Sequence, residues 1–163
     1  VKLEWFKQSP FVAENIVKAG IPDMGHVGLT LQTAESFKVQ GKDAHSAEEI
    51  IKHAHILERV GCFSVVLECI PQEVARIITR ELAIPTIGIG AGVHCDGQVL
   101  VINDLLGLFD RYQPKFTKKY IDLNSLILEA VKNYKNDVEH QTFPGPEESF
   151  AMNPEELEKL KNE

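Results

Sequence analysis

The residue that most strongly suggests chemistry is Glu68, an acid at the end of an apolar run. It directly follows Val65-Val66-Leu67 in the sequence. Such a run is typical of a strand that is buried on both faces of a parallel sheet. A carboxylate in that position costs free energy unless it is paired or used. Glu68 is therefore the first candidate for a catalytic acid or base, and a structural salt bridge is the alternative.

Other candidate residues stand at predicted strand ends. Lys2 and Glu4 lie two apart in an extended stretch, so their side chains project from the same face of the strand. Solvated residues at a frayed strand end are the alternative interpretation. His26 lies between two glycines, where an imidazole either orients a substrate or makes a structural hydrogen bond. His53 is expected to be a surface residue of a helix.

The glycine-rich run Gly88-Ile89-Gly90-Ala91-Gly92 raises the question of nucleotide binding. In the pattern G-x-G-x-x-G, the third glycine would fall on Val93, and a strand rather than a helix is predicted next. The run is therefore not a dinucleotide fingerprint. We interpret its glycines as positions where the backbone approaches a ligand or turns tightly.

Composition excludes several classes of function. A formal net charge of −7 disfavours nucleic acid as a partner, because binding to phosphate backbones requires clustered Lys and Arg. The chain has no apolar run of the roughly 18 residues that a membrane span needs. Its three cysteines are odd in number and form no Cys-x-x-Cys pair, which indicates neither a disulfide framework nor a zinc site. This pattern fits the reducing cytoplasm.

The hydrophobic pattern predicts alternating strands and helices. Predicted strands cover residues 1–4, 23–27, 63–70, 84–89 and 98–102, and predicted helices cover residues 10–18, 46–60, 71–82 and 123–138. Ser46 and Glu49 have the spacing of a capping box, and Pro71 suits a first helical position. This order predicts an α/β fold with a parallel sheet.

Several segments, in their order and spacing, resemble the ketopantoate hydroxymethyltransferase family. They are Gly25-His26-Val27-Gly28-Leu29-Thr30, Phe37-Lys38-Val39-Gln40-Gly41, Val66-Leu67-Glu68-Cys69, Ile87-Gly88-Ile89-Gly90-Ala91-Gly92 and Cys95-Asp96-Gly97-Gln98-Val99-Leu100-Val101. The resemblance runs from Lys2 to about Phe150. Each segment alone is a weak signal, but the set is specific.

The resemblance implies a TIM (β/α)8 barrel, of which this chain holds only about the last five βα units. A complete barrel takes about 250 residues, and the chain has 163. Residues 1–150 are then expected to form the C-terminal portion of a single barrel domain. Residues 151–163 are expected to form an acidic tail that is either helical or disordered.

The resemblance also implies an activity. Members transfer a hydroxymethyl group from methylenetetrahydrofolate to 3-methyl-2-oxobutanoate, which gives ketopantoate for pantothenate and coenzyme A biosynthesis. They use a divalent metal, usually Mg²⁺, and act as homo-oligomers. The expected partners are thus a small 2-oxo acid and a folate, in the cytoplasm.

The chemistry of such a transfer assigns roles to the candidate residues. Removal of a proton beside a ketone needs a base near that carbon and an electrophile at the keto oxygen. By resemblance, Glu68 is the proton acceptor and Glu4 is one of three acids that bind the metal. Lys2 is implied to contact the keto acid, and His26 is expected to help bind the substrate.

The chain departs from the family pattern in ways that affect these expectations. Trp5-Phe6 replaces a glycine pair after the metal-binding acid and is expected to crowd the barrel mouth. Leu31 stands where proline is usual, and the loop before Phe37 is shorter than the family's. The other two metal-binding aspartates of the family are absent. The chain alone is therefore expected to be inactive.

Two alternatives remain open at this level. One is a related metal-dependent lyase or aldolase that acts on short 2-oxo acids without a folate donor. The other is a non-catalytic half-barrel subunit that only associates with a partner. Folate dependence separates the first alternative from the hydroxymethyltransferase.

Overall fold

A computed structural model describes residues 1–30, 38–109 and 113–161 of the chain. Leu31 and the shortened loop before Phe37 lie outside these residues. The chain divides into two compact units, one made of Val1–Ile102 and Gln113–Lys118 and the other of Asn103–Tyr112 and Lys119–Glu163. Each unit is described by itself.

The first unit is built on a parallel sheet of five strands whose spatial order is their chain order, β1-β2-β3-β4-β5. The strands are β1 (Lys2–Glu4), β2 (Met24–Gly28), β3 (Ser64–Glu68), β4 (Thr86–Ile89) and β5 (Gly97–Gln98). Helices α1 (Ser9–Lys18), α2 (Ala44–Arg59) and α3 (Gln72–Glu81) connect the first four strands. The predicted parallel α/β sheet is confirmed.

The strand register separates two faces of the sheet. Val27 pairs with Leu67, and both belong to the core that includes Ala54 and Leu57 of α2 and Ile78 of α3. Because side chains alternate along a strand, the residues between these core positions face the other way. Glu4 pairs with His26, and Gly28 pairs with Glu68, which places the candidate residues on the face opposite the helices.

Two local predictions are wrong in detail. Helix α2 begins earlier than expected, because the Asp43 carboxylate accepts the Ser46 backbone N–H at 2.9 Å and Asp43 is the N-cap residue. The hydrogen bond from the Ser46 hydroxyl, and then the one from its backbone N–H, lower the pKa of Asp43. Pro71 is the N-cap of α3 rather than its first helical residue. Both errors are shifts of one to three residues at a helix start.

The fifth predicted strand is also shorter than expected. Pairing in β5 covers only Gly97–Gln98, and Ile102, expected to end that strand, begins helix α4 (Ile102–Leu106). Val99 and Val101 are each 48% exposed. An apolar run forms a buried strand only where neighbours cover it, and within the described residues β5 is paired with β4 alone.

The second unit contains helix α5 (Leu123–Glu139), predicted at 123–138, and helix α6 (Pro154–Lys161) in the acidic tail. The apolar residues of α5 remain about half exposed; they include Leu126, Ile127, Leu128, Val131, Tyr134 and Val138. Among the described residues, no helix has the length and apolar character to cross a membrane.

Candidate active site

The four residues singled out as candidates form one continuous cluster. The Lys2 Nζ lies 3.6 Å from Glu4 Oε1, and the same oxygen lies 3.8 Å from His26 Nδ1. On the other side of the ring, His26 Nε2 lies 3.2 Å from Glu68 Oε2. The imidazole therefore bridges two carboxylates that come from β1 and β3, with β2 between them.

Burial is graded across this cluster. The His26 side chain is 1% exposed, those of Glu68 and Glu4 are 11% and 13% exposed, and that of Lys2 is 45% exposed. The cluster thus opens toward solvent at the lysine and closes at the histidine. In so sheltered a place, charges interact more strongly than they do in water.

Neither ring nitrogen of His26 has a hydrogen-bond partner among the described residues. The contact with Glu68 is close enough for an ion pair, but its angles do not make a hydrogen bond. A buried nitrogen without a partner costs about 1–3 kcal/mol. The imidazole is therefore held in a position where a bound polar molecule would lower the free energy.

Tight backbone packing fixes the end of β3. The Leu29 N–H donates to the Glu68 carbonyl at 2.9 Å, and Gly28 beside it has φ of +94°. A Cβ atom on Gly28 would lie 2.2 Å from that same carbonyl oxygen, so only glycine fits here. The position of the Glu68 backbone therefore depends on Gly28, which has no side chain.

Cys69 is a further feature of this site, and sequence reasoning missed it. It follows Glu68 with φ of +49°, a left-handed conformation that is uncommon for a residue with a side chain. Two backbone hydrogen bonds hold it there: its N–H donates to the Ile89 carbonyl at 2.9 Å, and its carbonyl accepts from Gln40 at 2.8 Å. Burial, and then the nearby Glu68 charge, raise the pKa of the thiol. Strain of this kind often concentrates at functional positions.

Trp5, which was expected with Phe6 to crowd the barrel mouth, has its side chain on the face of the sheet away from the cluster. Its ring stacks on His53 of α2, with centroids 3.8 Å apart and planes 17° from parallel, and it packs against the core on the helix side of the sheet. The alternation of side chains explains this, because Trp5 follows Glu4 and so faces the opposite way. The Trp5 N–H donates to the His26 carbonyl at 2.9 Å, which ties the end of β1 to β2.

His53 is accordingly half-buried rather than a free surface residue, and no sequence signal pointed to its partner. Burial lowers the pKa of the His53 imidazole, and the Glu49 carboxylate, 3.6 Å away, partly opposes this effect. The pairing links residues 48 positions apart in the chain, and such a contact becomes visible only once the helix has docked on the sheet.

Within the described ranges, no three His, Cys, Asp or Glu side chains are grouped as a metal ion would require. Glu4 is the acid of the cluster that was expected to bind magnesium. A single carboxylate does not fit a complete magnesium site, because the ion is octahedral and usually takes further oxygen ligands from protein, substrate or water.

Comparisons with known proteins identify the family of this chain. The family model described as ketopantoate hydroxymethyltransferase matches residues 1–146. Proteins named 3-methyl-2-oxobutanoate hydroxymethyltransferase are similar: the one from Syntrophomonas wolfei is 49% identical over 98% of this chain and 59% of its own length. The corresponding protein of Syntrophobacter fumaroxidans is 52% identical over 98% and 58%, and that of Nitrosopumilus maritimus is 49% identical over 100% and 60%.

This chain spans about 60% of the length of these curated relatives. The matched length includes every residue of the cluster, from Lys2 to Glu68. A family model that covers most of a chain, together with relatives near 50% identity, settles its family. The chain belongs to the ketopantoate hydroxymethyltransferase family.

Proposed function

We propose that this chain carries the proton-transfer half of a hydroxymethyltransferase site, which converts 3-methyl-2-oxobutanoate to ketopantoate with methylenetetrahydrofolate as donor. The observation that supports it best is the buried His26 between Glu4 and Glu68, with neither ring nitrogen hydrogen-bonded in the described structure. This arrangement offers a base, a cation and an unused polar ring within one sheltered cluster.

Glu68 is the proposed proton acceptor. It would take the proton from the carbon beside the ketone, leaving an enolate whose negative charge develops on the keto oxygen. Burial on the sheet face shields the carboxylate from water without closing the site, because Lys2 remains partly exposed at the other end. The methylene carbon of the donor would then bond to the enolate carbon and take its hydroxyl from water, while its two bonds to the donor nitrogens break. The other water proton and the proton taken up by Glu68 go to those nitrogens, and tetrahydrofolate leaves.

Lys2 and His26 are the proposed substrate-binding residues. The Lys2 ammonium is a compact charge that can approach the carboxylate or the keto oxygen of the acid. The ring nitrogens of His26 would gain the hydrogen bonds that they lack among the described residues. Together they would hold the acid so that its reacting carbon faces Glu68.

Magnesium is proposed to bind to Glu4, and the proton transfer to Glu68 does not depend on it. When bound, a divalent metal supplies positive charge to the keto oxygen. Glu4 would contribute one ligand, and further oxygen ligands are needed beyond it. The curated relatives are longer than the match, so residues outside the matched length are the proposed source.

The remaining proposals concern assembly. We propose that the five strands are the last five units of a TIM barrel, that residues 1–150 belong to that one domain, and that the protein forms a homo-oligomer. The half-exposed apolar side chains of α5, such as Ile127 and Val131, support burial against another protein surface. The three free cysteines support a reducing, cytoplasmic location.

Deuterium exchange tests the proposed base. The chain would be supplied with the part of the Syntrophobacter relative that the match leaves uncovered, and the proton of 3-methyl-2-oxobutanoate beside the ketone would be followed by NMR in heavy water. Glu68→Gln keeps the shape of the side chain but removes the base. Exchange should fall by about 100- to 10,000-fold, the usual contribution of a positioned general base.

The control is Glu14→Gln, which removes an equal charge from a surface ion pair with Lys18. It should leave exchange unchanged. Equal exchange in the wild type and in Glu68→Gln would remove Glu68 from the role. Absence of exchange in the complemented wild type would contradict the proposed function itself.

A further inference from the structure

Cys69 is the residue at which β3 ends and the chain turns toward α3. Its φ of +49° lies in the left-handed region, which a residue with a Cβ atom populates less readily by a factor of about 5–30. Such a conformation persists only where the surrounding structure holds it. None of the roles proposed above explains why the chain holds Cys69 in this way.

The chain after Cys69 has little freedom to relieve this strain. Ile70 is 2% exposed and belongs to the hydrophobic core. Pro71, the N-cap residue of α3, has φ of −58°, and a proline restricts the residue before it to extended conformations. The position of the chain from Ile70 onward is therefore set by core packing and by the proline ring.

Two backbone hydrogen bonds hold Cys69 itself. Its N–H donates to the Ile89 carbonyl at 2.9 Å, which continues the pairing of β3 with β4. Its carbonyl accepts the Gln40 N–H at 2.8 Å, and Gln40 lies outside the described strands. Because the N–H of Cys69 is already fixed, the backbone angles of this residue decide where its carbonyl points. The bond from Gln40 is therefore specific to the turned conformation.

The donor of this hydrogen bond is also firmly placed. Gly41, the residue after Gln40, is buried and has φ of +70°. A Cβ atom on Gly41 would lie 2.8 Å from Ile50 Cδ1 and 3.8 Å from Pro71 Cδ, so its backbone packs against α2 next to the start of α3. The Gln40 N–H is thus anchored to the same helices that fix the chain after Cys69.

A relaxation of Cys69 would consequently displace Glu68. Because the residues after Cys69 are anchored, a change in its φ rotates the peptide group that joins it to Glu68. The Glu68 Oε2 lies 3.2 Å from His26 Nε2 in the observed conformation. A general base must lie within about 2.6–3.2 Å of the atom that gives up the proton, and a displacement of about 1 Å can cost about 100-fold in rate. The conformation of Cys69 therefore determines whether Glu68 can reach its substrate.

We propose that the hydrogen bond from the Gln40 N–H to the Cys69 carbonyl positions Glu68 for proton transfer, by holding Cys69 in its left-handed conformation. Gln40 and Cys69 are thus positioning residues that act through their backbone, and the thiol takes no part. The proposal rests on the proposed function, because it takes Glu68 to be the base. It adds that a segment outside the cluster, next to the start of α2, controls that base.

The conformational requirement can be tested on this chain without catalysis. Cys69→Gly and Cys69→Ala both remove the thiol, but only alanine keeps the Cβ atom. Glycine usually destabilises a protein relative to alanine, because it makes the unfolded chain more flexible. At Cys69 this order should invert, so that Cys69→Gly unfolds at a higher urea concentration than Cys69→Ala. Cys62, which is also buried but whose φ is not positive, is the control and should show the usual order.

Deuterium exchange in the complemented chain tests the positioning role. Gln40→Pro removes the backbone N–H, whereas Gln40→Ala keeps it and removes only the side chain. In the Cys69→Ala background, Gln40→Pro should lower the exchange rate at saturating keto acid by about 2- to 10-fold, the change that corresponds to one backbone hydrogen bond, with KM unchanged. Gln40→Ala should leave the rate as it is. In the Cys69→Gly background, Gln40→Pro should cost less than about twofold, because glycine populates positive φ about as readily as negative φ.

Several results would overturn the proposal. These are the usual order of stability for the two Cys69 variants, equal losses from Gln40→Pro in both Cys69 backgrounds, equal losses from Gln40→Pro and Gln40→Ala, or a rise in KM alone. Circular dichroism shows whether each variant is folded, and replacement of the Gln40 amide by an ester removes the same N–H if Gln40→Pro is not. Absence of exchange in the complemented wild type would instead contradict the proposed function, so the two failures are distinguishable.

Discussion

Replacement of Gly28 by alanine tests whether the end of β3 is built as the structure shows. Gly28 has φ of +94°, and a Cβ atom would lie 2.2 Å from the Glu68 carbonyl oxygen and 2.8 Å from the Ile70 Cγ2. Real Cβ atoms do not approach so closely, so the backbone must move. The carbonyl that would move belongs to the proposed base.

The expected loss of folding stability in Gly28→Ala has three contributions. A side chain at positive φ costs about 1–2 kcal/mol. Overpacking in a tight site costs about 1–3 kcal/mol. The hydrogen bond from Leu29 to Glu68, at 2.9 Å, would be strained or lost, at about 0.5–1.5 kcal/mol. Together they predict that Gly28→Ala lowers the free energy of unfolding by about 2.5–6.5 kcal/mol.

Gly20→Ala is the matched control. Gly20 also has positive φ, +77°, but a Cβ atom there would meet nothing within 4 Å. Only the cost of a side chain at positive φ applies to Gly20→Ala, so its free energy of unfolding should fall by about 1–2 kcal/mol. Urea unfolding of both variants, followed by circular dichroism, measures the difference. Equal losses in the two variants would refute the close approach of β2 to Glu68.

Two further predictions concern His53 and Glu4. Burial lowers the pKa of His53 in the folded chain below the value of about 6.5 that it has in the unfolded chain. As the pH falls, the unfolded chain therefore binds a proton at His53 before the folded chain does. The free energy of unfolding should fall as the pH drops from about 6.5 through the folded-state pKa. Urea unfolding at pH 8 and pH 5 checks this, and a pH dependence that His53→Gln leaves intact would refute the assignment. Isothermal titration of this chain with Mg²⁺ and 3-methyl-2-oxobutanoate should show only weak binding, without hydroxymethyl transfer, since Glu4 offers a single carboxylate. Tight binding and turnover would show that the site has been misplaced.

The cluster could be predicted from the sequence because strands impose strict geometry. Side chains alternate along each strand, so Lys2 and Glu4 had to share a face. The carboxyl ends of parallel strands meet at one edge of the sheet, so Glu4 and Glu68 had to lie near each other once the strand order was right. The observed register brings His26 between them.

Features that depend on tertiary contacts could not be predicted in the same way. The Trp5–His53 stack exists because α2 docks on β1 and β2, and neither residue type specifies the other. The positive φ of Cys69 is likewise held by hydrogen bonds to Ile89 and Gln40, which are remote in sequence. The periodicity of a sequence predicts helices and strands, but it does not predict which distant residues come into contact.

The helix start at Asp43 shows a different kind of error. Asp43 and Ser46 are both good N-cap residues, and Ser46 also has Glu49 three positions on. The structure uses Asp43, because its carboxylate accepts the Ser46 N–H and the Ser46 hydroxyl in turn contacts Asp43. Asp43 and Ser46 are capping signals of similar strength, so the sequence alone did not determine which of them begins helix α2.

The strand order also bears on where the rest of a barrel would join. Within the described sheet, β1 is one edge and β5 is the other, about four strand spacings of roughly 4.8 Å apart. A parallel strand paired with β1 would end beside Glu4, the proposed metal ligand. A strand paired with β5 would end far from it. If Glu4 binds a metal as proposed, oxygen ligands from a strand at the β1 edge would lie beside it, and those from a strand at the β5 edge would not.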